Sequence, residues 1–208
     1  MKKLLVTICA LSAAALLNAE TVVYVSSNGV NDGSFYTGPE NATINGVAYK
    51  VVCYDASHDV WNGQSWKAAL YNINDLTKNS YFTNQADYLT KYKEATWLSA
   101  QFNDHPTSDW NGIQHAIWNL NVPGFEGTPS DGNSWTTLAQ TQASLGFQGF
   151  NFNNYRYINS VPGSTPVQGF IVATATPEPA SLALVGAGLF GIAFLRRKML
   201  SKRRSEVC

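Results

Sequence analysis

Residues 47–55 read Val47-Ala48-Tyr49-Lys50-Val51-Val52-Cys53-Tyr54-Asp55, a β-branched and aromatic run. Such side chains fit a pleated, half-buried surface, so the run is expected to be a strand. Successive side chains alternate between faces, which sets Val47, Tyr49, Val51 and Cys53 together and Lys50 opposite. The apolar face needs cover, so Cys53 is expected to point into the core.

On the N-terminal side a companion strand is expected over residues 21–25, with the turn residues Asn28-Gly29 and Asn31-Asp32-Gly33 between the two. On the C-terminal side the pattern changes. Residues 65–76 and 85–102 lack Pro and Gly and read as helices; in the second, Tyr88, Tyr92, Ala95, Leu98 and Phe102 recur at steps of three and four. A third helix is expected to start near Ser108 or Asp109, either a good N-cap, and to run to Leu120 before Asn121-Val122-Pro123-Gly124 ends it. Residues 134–145 read as a fourth. Strand character returns over 150–158 and 167–173, separated by Pro162-Gly163. Strands flanking a helical middle predict an α+β fold, a β-sandwich or barrel with a helical insertion.

Both ends carry export signals. Lys2 and Lys3 precede an apolar run over residues 4–17, and small residues lead to Ala19. That is the layout of a secretory signal, so 1–19 is expected to be a signal peptide and 20–176 the exported body. Over 177–208, Pro177-Glu178-Pro179 is followed by an uncharged apolar stretch, residues 180–195, that Arg196, Arg197 and Lys198 close. An apolar run stopped by cations predicts a transmembrane helix with its basic side in the cytoplasm.

The tripeptide, the Gly-containing apolar stretch and the basic cluster, in that order, resemble the PEP-CTERM sorting signal of Gram-negative bacteria. The same tail family is also labelled an ice-binding protein C-terminal domain. The resemblance implies an exosortase-type membrane protease as partner, cutting near Pro177-Glu178-Pro179. It also implies transient residence in the inner membrane, then delivery to the envelope surface or an extracellular polysaccharide matrix.

Composition narrows the function further. The whole chain carries fourteen cations and fourteen acids, but residues 20–176 hold only six of the cations and twelve of the acids, a net charge of −6. An acidic exported body without a basic patch excludes nucleic acid as the partner. Cys9 lies in the signal and Cys208 in the tail, so Cys53 is the body's lone cysteine and no disulfide can form within it.

In the third helix, Trp110, Ile113, Gln114, Ile117 and Trp118 fall on one stripe. Burying the Gln114 amide there costs about 4–8 kcal/mol on the cyclohexane scale unless it finds partners. Two readings are open. Gln114 hydrogen-bonds a neighbouring loop, or its side-chain carbonyl is the target of the Cys53 thiolate. Attack with expulsion of ammonia leaves an internal thioester, an activated acyl group kept from water until an amine or hydroxyl reaches it.

Val52-Cys53-Tyr54 and the run Ile113-Gln114-His115-Ala116-Ile117-Trp118, whose Gln114 lies sixty-one positions downstream of Cys53, resemble the thioester domain of bacterial surface adhesins. That family carries a Thr-Gln-x-Ala-Ile-Trp run, and Ile113 stands here in place of the Thr. The resemblance spans residues 47–172 and implies a Cys53–Gln114 crosslink supported by Tyr54, Ala116, Ile117 and Trp118.

His58, His105 and His115 read as surface or turn residues, although a His beside a thioester can take the acyl group and pass it to hydroxyls. Asp55 and Asp59 near His58 follow turn preference. No metal-ligand spacing, phosphate loop or nucleotide fingerprint is present, so neither metal nor cofactor is expected. A cysteine hydrolase at Cys53 lacks an accompanying nucleophile signature, so no enzyme is expected. Two functions remain. One is a surface or matrix protein that attaches covalently to amines or hydroxyls through the thioester. The other is a non-covalent carbohydrate-binding or structural matrix protein, for which six Trp and ten Tyr supply stacking surfaces.

Overall fold

The computed structural model describes residues 19–76, 87–122, 124–125 and 130–174. The expected signal peptide up to residue 18 and the tail of 177–208, with the helices expected in them, lie outside the described residues. The chain divides into the units Met1–Ala173 and Thr174–Cys208, and the fold below belongs to the first.

Six antiparallel strands close a barrel: β1 (Glu20–Ser26), β4 (Glu40–Ile44), β5 (Val47–Cys53), β8 (Phe170–Ala173), β7 (Tyr155–Ser160) and β6 (Ser65–Tyr71), in that spatial order, with β6 returning to β1. Two short strands, β2 (Val30–Asn31) and β3 (Tyr36–Thr37), pair with each other beside it. The helices α1 (Tyr88–Gln101), α2 (Trp110–Asn121) and α3 (Ser130–Ser144) lie in sequence between β6 and β7. The fold is α+β, and the barrel alternative is the one adopted.

Alternation along β5 gives the barrel two buried faces at its C-terminal end. Val51 and Cys53 join Val22, Tyr24, Ala42, Trp66, Ala68, Ile158 and Phe170 in the interior cluster. Val52 and Tyr54 face outward, where Tyr157 and Ile171 join the apolar faces of the helices, including Tyr92, Leu98, Ile113 and Ile117. The helical layer therefore covers the outside of β5, β8 and β7. Trp118 of α2 belongs to the interior cluster, which takes α2 to the mouth of the barrel. Close packing against α3 fixes its position: a Cβ on Gly112 would meet Asp131 Oδ2 at 2.6 Å and Trp135 at 2.9 Å.

Two expectations are corrected and one is refined. The helix expected over 65–76 is β6 followed by a single 3-10 turn, Ile73–Asp75. Helix propensity is a weak prior, and here strand pairing overrides it. β6 bonds to β1 on one side and β7 on the other, and without it the barrel would have two open edges. Its Trp66 and Ala68 turn inward while Ser65 and Lys67 stay exposed. Asp109 takes the N-cap position of α2, as expected, but its side chain makes no capping bond. It ends a 3-10 turn, Thr107–Asp109, already has helical backbone angles, and turns its carboxylate to His105 at 3.2 Å. Finally, β4 was not expected at all. Its hairpin to β5 turns on Asn45 and Gly46, with φ of 50° and 82°, the geometry that two-residue hairpins favour.

Candidate functional site

The site forms where the end of β5, the segment before β4 and the middle of α2 converge. Gln114 is 1 % exposed. Its Nε2 donates to the carbonyl oxygen of Cys53 at 2.7 Å, and its Oε1 accepts from the Gly38 N–H at 3.4 Å. The buried amide thus finds partners at the end of β5 and in the segment before β4, which offsets its desolvation. Gly38 can lie this close because it is glycine. Its φ is +109°, and a Cβ would stand 2.4 Å from the Trp110 ring.

Trp118, one turn beyond Gln114, projects to the same place. Its Nε1–H donates to Cys53 Sγ at 3.3 Å, while Sγ–H donates to the Asp55 carbonyl oxygen at 3.2 Å. Cys53 is 1 % exposed. Burial pushes its thiol well above the ordinary thiol range, and the carboxyls of Glu40 and Asp55 add to that, against the Trp118 hydrogen bond. The thiol is therefore held protonated, and nucleophilic attack requires a base.

Cys53, Gln114 and Trp118 are brought together. Tyr54, Ala116 and Ile117 instead build the support on the other face of β5. Tyr54 donates its backbone N–H to the Gly169 carbonyl at 3.1 Å, and its ring meets Tyr92 and Tyr157 edge-on at 5.8 and 5.2 Å. Ala116, Ile117 and Ile113 are fully buried in the same layer. The Gln114 oxygen is met by the Gly38 N–H, while Ile113 has no hydroxyl to offer it. The sorting residues Pro177, Glu178, Pro179, Arg196 and Arg197 lie outside the described residues.

The histidines differ from expectation in one case. His58 and His105 are partly exposed and pair with Asp55 at 2.8 Å and Asp109 at 3.2 Å. His115 is 2 % exposed, not at the surface. Its Nε2 lies 2.8 Å from Asp32 Oδ2, and its ring is enclosed by Phe35, Trp118 and Phe125. α2 is covered on more than its apolar stripe, so rotation by 100° from Gln114 does not bring a side chain to solvent.

Glu40 is a residue that sequence patterns alone did not single out. It occupies an inward position of β4, is 5 % exposed, and burial raises its carboxyl pKa to about 7 against a hydrogen bond from Tyr24. The signal that finds it is the Asn45-Gly46 pair. Counting back from that turn by twos turns Ile44, Ala42 and Glu40 to one face.

Residues 175–198 match the PEP-CTERM protein-sorting motif. Such motifs are recognised by exosortase, so the chain is an exported surface protein with a membrane-associated sorting step. The fold is similar to the N-terminal thioester domain of fibronectin-binding protein SfbI from Streptococcus pyogenes, with a TM-score of 0.48 at 10% identity, covering 75% of this chain and 94% of that one. No curated protein matches the chain.

Proposed function

We propose that the exported body couples itself covalently to surface or matrix nucleophiles through an internal thioester between Cys53 and Gln114. One observation carries this reading: the Gln114 carboxamide bonds the Cys53 carbonyl at 2.7 Å while Trp118, on the same helix, bonds the Cys53 sulfur at 3.3 Å. A nucleophile and an acyl carbon with a leaving group share one dry site. Attack of the thiolate on the Gln114 Cδ would form the C–S bond and push electrons onto Oε1, toward the Gly38 N–H. Loss of ammonia then leaves the thioester. An incoming amine or hydroxyl takes the acyl group and releases the thiol, once per molecule, so the protein is a single-use acyl donor and not an enzyme. In this reading residues 1–19 direct export, the tail holds the chain briefly in the inner membrane, and extracellular polysaccharide or another surface nucleophile is the target.

Intact mass tests the proposal. The purified protein should weigh one ammonia less than its processed sequence, and thiol reagents should find no free Cys53 after denaturation. Methylamine should add its mass at Gln114 and free the thiol in the same step. Full mass with a titratable Cys53 in fresh protein rejects the crosslink.

A second reading rests on a cleft of about 400 Å³ lined by Tyr24, Tyr36, Trp61, Ser26, Ser27 and Asn62. Trp61 is 68 % and Tyr36 54 % exposed. Exposed aromatic faces beside hydroxyl and amide groups suit a sugar ring, held without covalent chemistry. Calorimetry against matrix oligosaccharides checks it. Trp61→Ala should abolish binding, and unchanged binding by that variant removes this reading.

A further inference from the structure

The proposed crosslink needs a base, and the barrel interior contains a carboxyl with no other evident task. Glu40 Oε2 is buried and has no hydrogen-bond partner among the described residues. Strand register fixes what surrounds it. Glu40 pairs with Val51 across β4 and β5, so Cys53, two residues on, is its diagonal neighbour on the inner face. Tyr24 pairs with Ala42 across β1 and β4 and lies diagonally on the other side. Diagonal neighbours on adjacent strands stand about 7–8 Å apart at the backbone, within reach of long side chains. Two residues before Glu40, Gly38 donates to the Gln114 oxygen. One short segment therefore supplies both a donor to the acyl oxygen and a carboxyl beside the thiol.

We propose that Glu40 is the proton carrier of crosslink formation, taking the Sγ proton of Cys53 and returning it to the departing nitrogen of Gln114. The inference rests on the thioester reading. The Glu40 carboxylate accepts the thiol proton, and the thiolate forms the S–Cδ bond, leaving the negative charge on Oε1. When the charge collapses back, the Cδ–Nε2 bond breaks and the nitrogen takes the proton from the Glu40 carboxyl. Ammonia leaves, and Glu40 ends as the carboxylate it began as.

Of the rival groups, Asp55 is already engaged, and His115, although its Nδ1 lacks a hydrogen-bond partner among the described residues, is not among the groups that act on the thiol. Asp55 presents its carbonyl to the thiol, and its carboxylate accepts from Ser57 N, Gly169 N and the His58 ring. His115 is bound through Nε2 to Asp32. The titratable groups acting on Glu40 and on the thiol are Tyr24 from β1 and Asp55 from the loop after β5, while α2 contributes the Trp118 N–H. Burial, the largest influence, raises Glu40 to about 7, so near neutral pH it can both accept and give a proton.

Ring reclosure tests the assignment in the full chain, purified in detergent. Ammonium opens the thioester and restores Gln114 and the thiol; after its removal, the renewed loss of one ammonia is followed by mass against pH. Wild-type reclosure should accelerate through about pH 7. Glu40→Gln should slow it by roughly 10²-fold or more and lose the pH inflection, while Glu40→Asp should keep the inflection at a reduced rate. Reclosure of Glu40→Gln at the wild-type rate and pH profile overturns the proposal. So does equal slowing in both variants without an inflection. A wild-type protein that never shows the ammonia loss rejects the thioester itself, an outcome distinct from both.

Discussion

His115 Nε2 lies 2.8 Å from Asp32 Oδ2, tying the middle of α2 to the turn between β2 and β3 across eighty-three positions of chain. The tie matters because Gly38 follows β3 directly. Whatever holds that hairpin against α2 also holds the Gly38 N–H on the Gln114 oxygen. Burial opposes ionisation of Asp32, but hydrogen bonds from His115, Phe35 N and Ser34 N outweigh it and keep the carboxyl below its ordinary pKa.

Asp32→Ala should therefore cost stability and loosen the site together. It leaves the buried His115 Nε2 unpaired as well as Nδ1, which already lacks a hydrogen-bond partner among the described residues. The expected loss is about 1–3 kcal/mol in denaturant unfolding. The fraction of protein showing the ammonia loss should fall in parallel. Unchanged stability would show that the pair does not anchor α2.

Gly38→Ala strikes the same segment without touching a charge. The left-handed φ costs about 1–3 kcal/mol for a residue with a Cβ, and the new methyl must displace the Trp110 ring. The segment then shifts, carrying its N–H away from Gln114. Unfolding by denaturant and the ammonia loss should both register the change, whereas Gly46→Ala, with open space at its Cβ and a positive φ of 82°, should lower stability alone.

Much of the site was readable from local rules. A two-residue period sends Cys53 inward, and a 3.6-residue period aligns Gln114 with Trp118 on one helix stripe. Neither rule needs to know the partner. What escaped notice depends on long-range pairing. Trp66 and Ala68 alternate as a strand should, yet only the ladders to β1 and β7 decide against a helix for an Ala-containing run. Glu40 was obscured because a charged residue at an inward position contradicts the apolar pattern by which strands are recognised. His115 was misjudged because periodicity reports one covered stripe, while Phe35 and Phe125 from outside the helices cover another.

Sorting gives a prediction independent of the site. The match over residues 175–198 contains Pro177, Glu178 and Pro179 together with the start of the basic cluster. Mature protein from the native host should lack residues 196–208, and Glu178→Ala should accumulate a longer form in the inner membrane. Mass spectrometry of membrane and surface fractions reads both. Mature protein that retains the basic tail at full occupancy would overturn exosortase cleavage.

The buried carboxyl of Glu40 should also be visible in stability, whether or not it moves a proton. Burial raises its folded-state pKa from the ordinary 4.5 to about 7, against the Tyr24 hydrogen bond. The native state thus binds this proton more tightly than the unfolded chain. Its contribution is complete below pH 4.5 and is lost as pH rises to about 7, a difference of the order of 3 kcal/mol. Asp55 acts in the same sense, since burial raises it too, against its bonds to Ser57 N, His58 and Gly169 N. Glu40→Gln removes the Glu40 part. The variant should vary less than wild type between pH 4.5 and 7, and at pH 8 it should be the more stable protein. The gain should fall short of the full difference, because Tyr24 loses a hydrogen bond to a charged acceptor. Both proteins are best unfolded in denaturant after methylamine treatment, so that a crosslink does not contribute. A Glu40→Gln protein that parallels wild type across this range would mean that the wild-type carboxyl titrates as an exposed one, and the barrel interior would then be wetter than its packing implies.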